Sequence, residues 1–254
     1  MIHTKQYGEN LPPLVVIHGL FGNADNWHSI AQKWAENFTV YCLDLPNHGR
    51  SSELAPTTYP ALANAINEWL EEKHLSSIYL LGHSMGGKVA MQLTSDHPEK
   101  IKKLIVADIA PVDYLPSHTE IFKGLKVINQ KQPASRKEAD QLLSDYEPNM
   151  GVRQFLLKNL QRNENGTNSL ALGLDNLIAD YDAILSAPIL KDNLSVETLF
   201  IKGENSPYIL PEHQQQTLKH FPNASVKVIP ETGHWLHAEK PTTFTSLVRR
   251  FLTA

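Results

Sequence analysis

Tyr79-Leu80-Leu81-Gly82-His83-Ser84-Met85-Gly86-Gly87-Lys88-Val89 is the stretch on which the fold is decided. Ile78 to Leu81 is a short apolar run followed by turn residues, and it reads as a buried strand. Met85 to His97 is rich in helix formers and stops before Pro98, so it reads as a helix. Between them Gly82-His83-Ser84-Met85-Gly86 matches Gly-x-Ser-x-Gly. The pattern alone occurs by chance, but the strand before it and the helix after it supply the context that gives it meaning. A serine on so sharp a turn is held in strained backbone geometry. Glycines flank it because a Cβ there would collide with the neighbouring strand and helix. The turn pushes the Ser84 hydroxyl out over the sheet edge. It also aims the Met85 N–H beside it, at a helix N-terminus where negative charge is favoured.

Strands and helices alternate on both sides of this stretch. Leu14-Val15-Val16-Ile17 predicts a central strand running into His18-Gly19-Leu20-Phe21-Gly22, whose two glycines allow close approach of the backbone to a ligand. Asn26 to Glu36 carries Trp27, Ile30, Ala31 and Trp34 at helical spacing. Thr39 to Leu43 predicts the next strand, Tyr59 to His74 a helix, and Ile101 to Ala107 a strand ending at Asp108. After residue 190, Val196 to Ile201 and Ala224 to Ile229 predict two more strands, with helices over Pro211 to His220 and Phe244 to Phe251. Such alternation implies a mostly parallel sheet with right-handed crossovers and helices on both faces, an α/β fold. Ligands in such sheets bind at the carboxyl ends of the strands, where Ser84, Leu20 and Asp108 all fall.

The rhythm breaks between residues 112 and 190. Four apolar stripes at helical spacing follow one another with no strong strand: Ile121 to Ile128, a capping-box helix from Ser135 through Leu143, Val152 to Leu160, and Leu177 to Ile184. The expected organisation is a core domain of residues 1–111 and 191–254, with residues 112–190 inserted as a helical cap over the strand ends.

Composition narrows the function. The chain has 254 residues, a net charge of −4 and 41% apolar residues, without the basic bias of a nucleic-acid binder. No apolar run is long enough to span a membrane, and the first residues lack the apolar core of a signal peptide. The single cysteine, Cys42, sits in an apolar strand and reads as a buried thiol. A cytoplasmic setting fits this usage.

The chemistry gathers around Ser84. A serine hydroxyl is a weak nucleophile until a positioned base removes its proton, and histidine is the natural base near neutrality. Of the 12 histidines, His234 is the best placed, in a glycine-containing loop after the last strand. His18 reads instead as a prop for its loop, and Asp44 and His48 as groups that pin the turn after Leu43. His234 and His237 could suggest a metal pair, but no Cys, Asp or Glu cluster completes the three or four ligands a metal needs, so no metal is expected.

Gly-His-Ser-Met-Gly-Gly, His-Gly-Leu-Phe-Gly, Asn-His-Gly-Arg-Ser and Gly-His-Trp-Leu-His-Ala-Glu-Lys-Pro resemble the α/β-hydrolase superfamily over nearly the whole chain. Ala107 to Tyr114 and Gly203 to Tyr208 resemble its small bacterial serine esterases in particular. The resemblance implies an eight-stranded type of sheet lacking its first strand, a cap inserted after the sixth strand, and no cofactor. It implies hydrolysis of a small-molecule carboxylic ester or acyl-CoA thioester, with no nucleic-acid or membrane partner; the oligomeric state is left open. On this reading Ser84 attacks, His234 is the base, and the N–H groups of Leu20 and Met85 form the oxyanion hole. The acyl pocket is expected between cap and oxyanion loop. Its expected lining is Phe21, His83, Phe122, Met150, Phe155, Tyr181, Tyr208 and Trp235. Acyl transfer, perhydrolysis or carbon–carbon hydrolysis on the same serine, and a non-enzymatic receptor, are the alternatives.

The acid is the open point. Many hydrolases of this fold carry it in a Gly-x-x-Asp pattern after the strand corresponding to Val196 to Ile201, but here Gly203-Glu204-Asn205-Ser206 puts a serine there. Asp108, at the end of the neighbouring strand, is the expected acid, ahead of Glu204 and Asp113, with Asn205 and Ser206 as supporting donors.

Overall fold

The computed structural model describes residues 1–254. The chain begins with strand β1 (Thr4–Tyr7), β2 (Pro13–Ile17), a 3-10 turn, helix α1 (His28–Trp34), β3 (Thr39–Leu43), α2 (Tyr59–Glu72), β4 (Ile78–His83), α3 (Met85–Asp96) and β5 (Ile101–Ala107). A long insertion then holds α4 (Thr119–Lys131), α5 (Arg136–Ser144), α6 (Met150–Leu156), a hairpin β6 (Leu160–Arg162) and β7 (Asn168–Leu170), α7 (Leu174–Ala179) and α8 (Tyr181–Leu185). The chain closes with β8 (Glu197–Gly203), α9 (Gln214–His220), β9 (Ser225–Ile229), α10 (Leu236–Glu239) and α11 (Pro241–Thr253).

Seven strands form one sheet in the order β1-β3-β2-β4-β5-β8-β9. All neighbours are parallel except β1, which runs antiparallel along β3 with Thr4 opposite Leu43. The strands of the middle are predominantly apolar because both faces are covered. Along β2, Leu14 and Val16 join the core under α1 and α11, with Trp27, Trp34 and Phe244. Val15 and Ile17 point the other way, into the larger core with α2, α3 and the insertion. The period of two that makes successive side chains alternate thus feeds two separate cores.

The structure departs from the sequence expectations in two places. The edge strand β1 was not foreseen: its Thr-Lys-Gln-Tyr lacks an apolar signature because only a thin edge of it is covered. With it the sheet has seven strands, and the insertion follows β5, the fifth strand present and the sixth of the eight-stranded type once the missing first strand is counted, as expected. The insertion is also not purely helical. The apolar stripe from Val152 stops at Leu156, and Leu160 enters the short antiparallel hairpin. The stripe of Leu177, Tyr181 and Ile184 is broken at Asp180, whose carboxylate accepts the Thr57 N–H at 2.6 Å.

The insertion is tied to the sheet close to Ser84. The Lys88 ammonium, one helical turn beyond Ser84, donates to the carbonyls of Leu185 and Ser186 at 2.9 and 2.6 Å. Burial lowers its pKa to about 7. Asp113, at the start of the insertion, accepts the Ala187 N–H at 2.6 Å, so the two ends of the insertion close on one another.

Candidate active site

Ser84 sits between the last residue of β4 and the first of α3 with φ +54° and ψ −125°, a backbone conformation L-residues rarely adopt. Neighbouring hydrogen bonds hold it there: its N–H donates to Ala107 at 2.9 Å, and its carbonyl accepts from Gly87 at 2.8 Å. A Cβ at Gly82 would strike the backbone of Gly86, and a Cβ at Gly86 would strike the carbonyls of Ile17 and His18. The two glycines let the start of α3 lie against β2 and β4.

A line of hydrogen bonds crosses three strand ends. Ser84 Oγ is 2.9 Å from His234 Nε2, and His234 Nδ1 is 2.8 Å from Asp108 Oδ2. A carboxylate can only accept, so Nδ1 carries the imidazole proton and Nε2 is left to accept from the Ser84 hydroxyl. Asp108 is fully buried and itself at φ +54°. Its Oδ1 accepts the Gly203 N–H at 3.0 Å, and its Oδ2 also accepts the Ser206 hydroxyl. Ser206 therefore reaches Asp108 as the sequence reading had it, whereas Asn205 is exposed and only its backbone N–H is engaged, with Thr232. Glu204 is turned to the next loop, where its carboxylate accepts the Glu231 N–H at 2.8 Å. The Tyr208 ring stacks on His234 at 4.0 Å between centroids, covering one face of the imidazole.

The loop after β2 lies opposite. The Leu20 N–H makes no backbone hydrogen bond in its turn. The Met85 N–H is the first of α3 and has no partner within its helix. Phe21 is held at φ +62° by two partners: its N–H donates to His48 Nε2 at 3.2 Å, and its carbonyl accepts from Asn159 Nδ2, in the insertion, at 2.7 Å. His18 Nε2 accepts the Leu45 N–H at 2.9 Å while Nδ1 donates to the Gly19 carbonyl at 2.8 Å. Asp44 accepts the N–H groups of Ala24 and Arg50 at 2.6 and 2.9 Å. His18, His48 and Asp44 are thus braces for two loops. Burial lowers the pKa of His18 to about 4 and, with His18 nearby, that of His48 to about 3, so both rings are neutral struts.

Two cavities meet at Ser84. One, of about 290 Å³, lies between the loop after β2, the insertion and the His234 loop; Phe21, Val152, Phe155 and Trp235 are in its walls. The other, of about 410 Å³, lies against α3 and is walled by Met85, Ile109, Tyr181 and Ile184. Leu20, Ser84, Ser117, His118 and Tyr208 border both.

Of the expected lining residues, Phe21, Phe155, Tyr208 and Trp235 face the first cavity and Tyr181 the second. His83 reaches the first cavity, but its Nε2–H donates to the His234 carbonyl at 2.9 Å, so it braces that loop from below. Phe122 and Met150 do not line either cavity. Phe122 lies one layer back, edge-on to Phe21 at 5.1 Å and to Tyr181 at 5.0 Å. Met150 opens α6 and is 68% exposed. An amphipathic stripe shows which face a helix buries, not which buried residue reaches a void, and Met150 stands at a helix start where no such face exists. Asn159 and His118 were missed altogether; both depend on how the insertion folds back, and no local pattern marks either.

No group of three or more His, Cys, Asp or Glu side chains is arranged to hold a metal ion. His237 is used otherwise, stacked on Trp27 at 4.5 Å. No helix is long and apolar enough to cross a membrane.

Comparison with known proteins agrees with the fold. The family model described as alpha/beta hydrolase fold matches residues 12–241. The chain is similar to esterase YbfF of Escherichia coli, 34% identical over 262 residues, which cover 98% of this chain and 96% of that protein. It is similar to the sn-1-specific diacylglycerol lipase ABHD11 of Mus musculus, 38% identical over 250 residues, covering 95% of this chain and 81% of that protein. Among solved structures, a marine microorganism esterase superposes with a TM-score of 0.95 at 39% identity, covering 98% of each chain.

Proposed function

The chain belongs to the α/β-hydrolase family, and we propose that it hydrolyses carboxylic esters through an acyl-enzyme on Ser84, with His234 as base and Asp108 as the acid that orients it. The observation that carries this reading is the hydrogen-bonded line from Ser84 Oγ through His234 to Asp108. Esterase and lipase names among relatives at 34% and 38% identity support the reaction class.

Each step uses groups already described. His234 Nε2 takes the Ser84 proton as Oγ attacks the acyl carbonyl. The imidazolium so formed faces Asp108, whose charge stabilises it and keeps the ring in the accepting tautomer. Negative charge on the carbonyl oxygen meets the N–H groups of Leu20 and Met85, donors of a kind worth roughly 10²–10³ in rate each. His234 then returns the proton to the leaving oxygen, and the acyl-enzyme is opened by a water that His234 activates in the same way. The cavity beside Phe21 takes the acyl chain and the cavity along α3 takes the leaving group. Both are predominantly apolar, which suits uncharged chains of short to medium length.

Thioesters, acyl-CoA among them, fall within the same reading, because the acyl-enzyme does not depend on the atom that leaves. The name of the mouse relative adds acylglycerols to the series worth testing. A reducing, cytoplasmic setting is part of the reading too, supported by Cys42, a free and buried thiol whose pKa burial pushes up.

The test is labelling by a fluorophosphonate together with turnover of an activated acetate ester and of a chain-length series of esters and acyl-CoAs. Ser84 is expected to carry the label, and Ser84→Ala to lose both label and turnover. Turnover near wild type in Ser84→Ala overturns the serine mechanism. A chain that neither labels nor turns over is a ligand receptor on a hydrolase fold.

A further inference from the structure

The ring of His118 is held in one tautomer by hydrogen-bond arithmetic. Tyr181 Oη accepts two backbone N–H groups, from Ser117 at 3.2 Å and from His118 itself at 3.1 Å. A phenol oxygen has two lone-pair positions and one hydrogen. Both positions are filled, so the contact of 2.7 Å between Tyr181 Oη and His118 Nδ1 must be made by the phenol hydrogen, with Nδ1 accepting. The proton of the neutral imidazole is then on Nε2. Burial, reinforced by His234, holds the His118 pKa down to about 4, in keeping with a neutral ring at pH 7.

Nothing in the fold uses that Nε2–H. His118 stands at the N-cap position of α4 yet makes no side-chain capping bond. Its side-chain hydrogen bonds run through Nδ1, and Nε2 is not among the buried polar atoms shut off from solvent. The ring stands edge-on to Phe21 at 5.8 Å between centroids and borders both cavities at the point where they meet over Ser84. The insertion therefore sets an unpartnered donor on a residue that borders the junction of a predominantly apolar cleft.

We propose that His118 is a specificity residue whose Nε2–H donates to a neutral oxygen acceptor of the substrate (hydroxyl, ether or carbonyl) placed within a few bonds of the scissile ester carbonyl. This rests on Ser84 as the attacking group, since the cleft junction is then where the ester must lie. Tyr181 is the positioning residue: without its hydrogen the imidazole proton is free to move to Nδ1 and the donor is lost from the cleft. A donor so placed favours substrates that satisfy it, because an apolar group brought against it displaces its water and leaves the N–H unpaired.

Two matched ester pairs test the proposal. On the alcohol side, 2-methoxyethyl butyrate is compared with butyl butyrate, which has the same chain shape with CH2 in place of oxygen. On the acyl side, ethyl methoxyacetate is compared with ethyl butyrate. The readout is the ratio of kcat/KM within each pair, measured in wild type, His118→Phe, His118→Gln and Tyr181→Phe, so that a general loss of activity cancels. His118→Phe is expected to lower the ratio about tenfold or more in one pair, and the pair affected says whether the oxygen belongs to the alcohol or the acyl group. Tyr181→Phe should lower the same ratio, and His118→Gln, which retains a side-chain N–H, should restore part of it. Ratios unchanged within about twofold in both pairs for His118→Phe and Tyr181→Phe overturn the proposal. Loss of turnover of every ester in Ser84→Ala is read separately and bears only on the serine mechanism.

Discussion

Ser206 donates its hydroxyl to Asp108 Oδ2, the same carboxylate oxygen that receives the imidazole N–H of His234. The serine occupies the loop after β8, from which a carboxylate would reach the histidine in many proteins of this fold. Here the carboxylate comes from the end of β5, and the loop after β8 contributes donors to it instead. Gly203 N–H completes the set on Oδ1. A buried carboxylate with all three of these donors is held in one orientation.

That arrangement predicts how the two acids respond to substitution. Asp108→Asn should lower kcat by up to ~10⁴, because an amide cannot stabilise an imidazolium and favours the wrong tautomer. Glu204→Gln should change kcat little, since its carboxylate meets only the Glu231 N–H. Steady-state kinetics on one activated ester, with circular dichroism to check the fold, decides between them. A nearly dead Glu204→Gln beside an active Asp108→Asn would transfer the role.

The close packing of α3 on β2 predicts the effect of one methyl group. Gly86→Ala sets a Cβ against the carbonyls of Ile17 and His18, which are backbone atoms and cannot rotate away. The start of α3 must move, and with it the Met85 N–H. The expected result is a loss of ~2 kcal/mol or more in stability, in the range of backbone and packing strain, with a fall in kcat larger than any rise in KM. A urea melt and kinetics matching wild type would show that the turn has room to spare.

The buried histidines predict acid lability. His18, His48 and His237 have pKa values lowered to about 4, 3 and 3, each chiefly by burial. Unfolded, each returns to about 6.5. Between that value and the folded one the unfolded chain binds more protons, so stability rises with pH there. The stability is fully present above about pH 6.5 and drains away as pH falls toward 4 and below. Each ring contributes a slope of at most ~1.4 kcal/mol per pH unit. Urea unfolding at about pH 7.5 and pH 5 checks the sign. His237→Phe, which keeps a ring against Trp27, should flatten the dependence by up to one proton's worth. Equal stability at the two pH values would be the contrary result.

How much of this was legible in the chain depended on distance along it. The strand, turn and helix around Ser84 are set by residues within a dozen positions of one another. Apolar periodicity, Gly82, Gly86 and Pro98 suffice to read them, and the structure has them at Ile78–His83 and Met85–Asp96. The buried strands of the sheet announced themselves likewise, since a strand covered on both faces reads as a nearly continuous apolar run. β1 did not, because a half-covered edge strand has no such requirement. The β6–β7 hairpin, three residues a side, is too short to show a period of its own.

The site divides along the same line. Sequence singled out Ser84, His234 and Asp108 as residues at strand ends, but could not say where loop side chains turn. On paper Asp108 was the expected acid and Glu204, next to a glycine in the neighbouring loop, the alternative. Only the folded chain decides between their directions, by placing Asp108 at φ +54° under three donors and turning Glu204 toward Glu231. The insertion shows the limit more sharply: its apolar stripes were visible, yet Phe122 lies behind the cavity wall, Met150 faces solvent, and His118, which no pattern marks, borders both cavities. The reason is physical. Local spacing determines which face of an element is buried, whereas the position of a void is a property of three or four elements packed together, and it exists only once the chain has closed over Ser84.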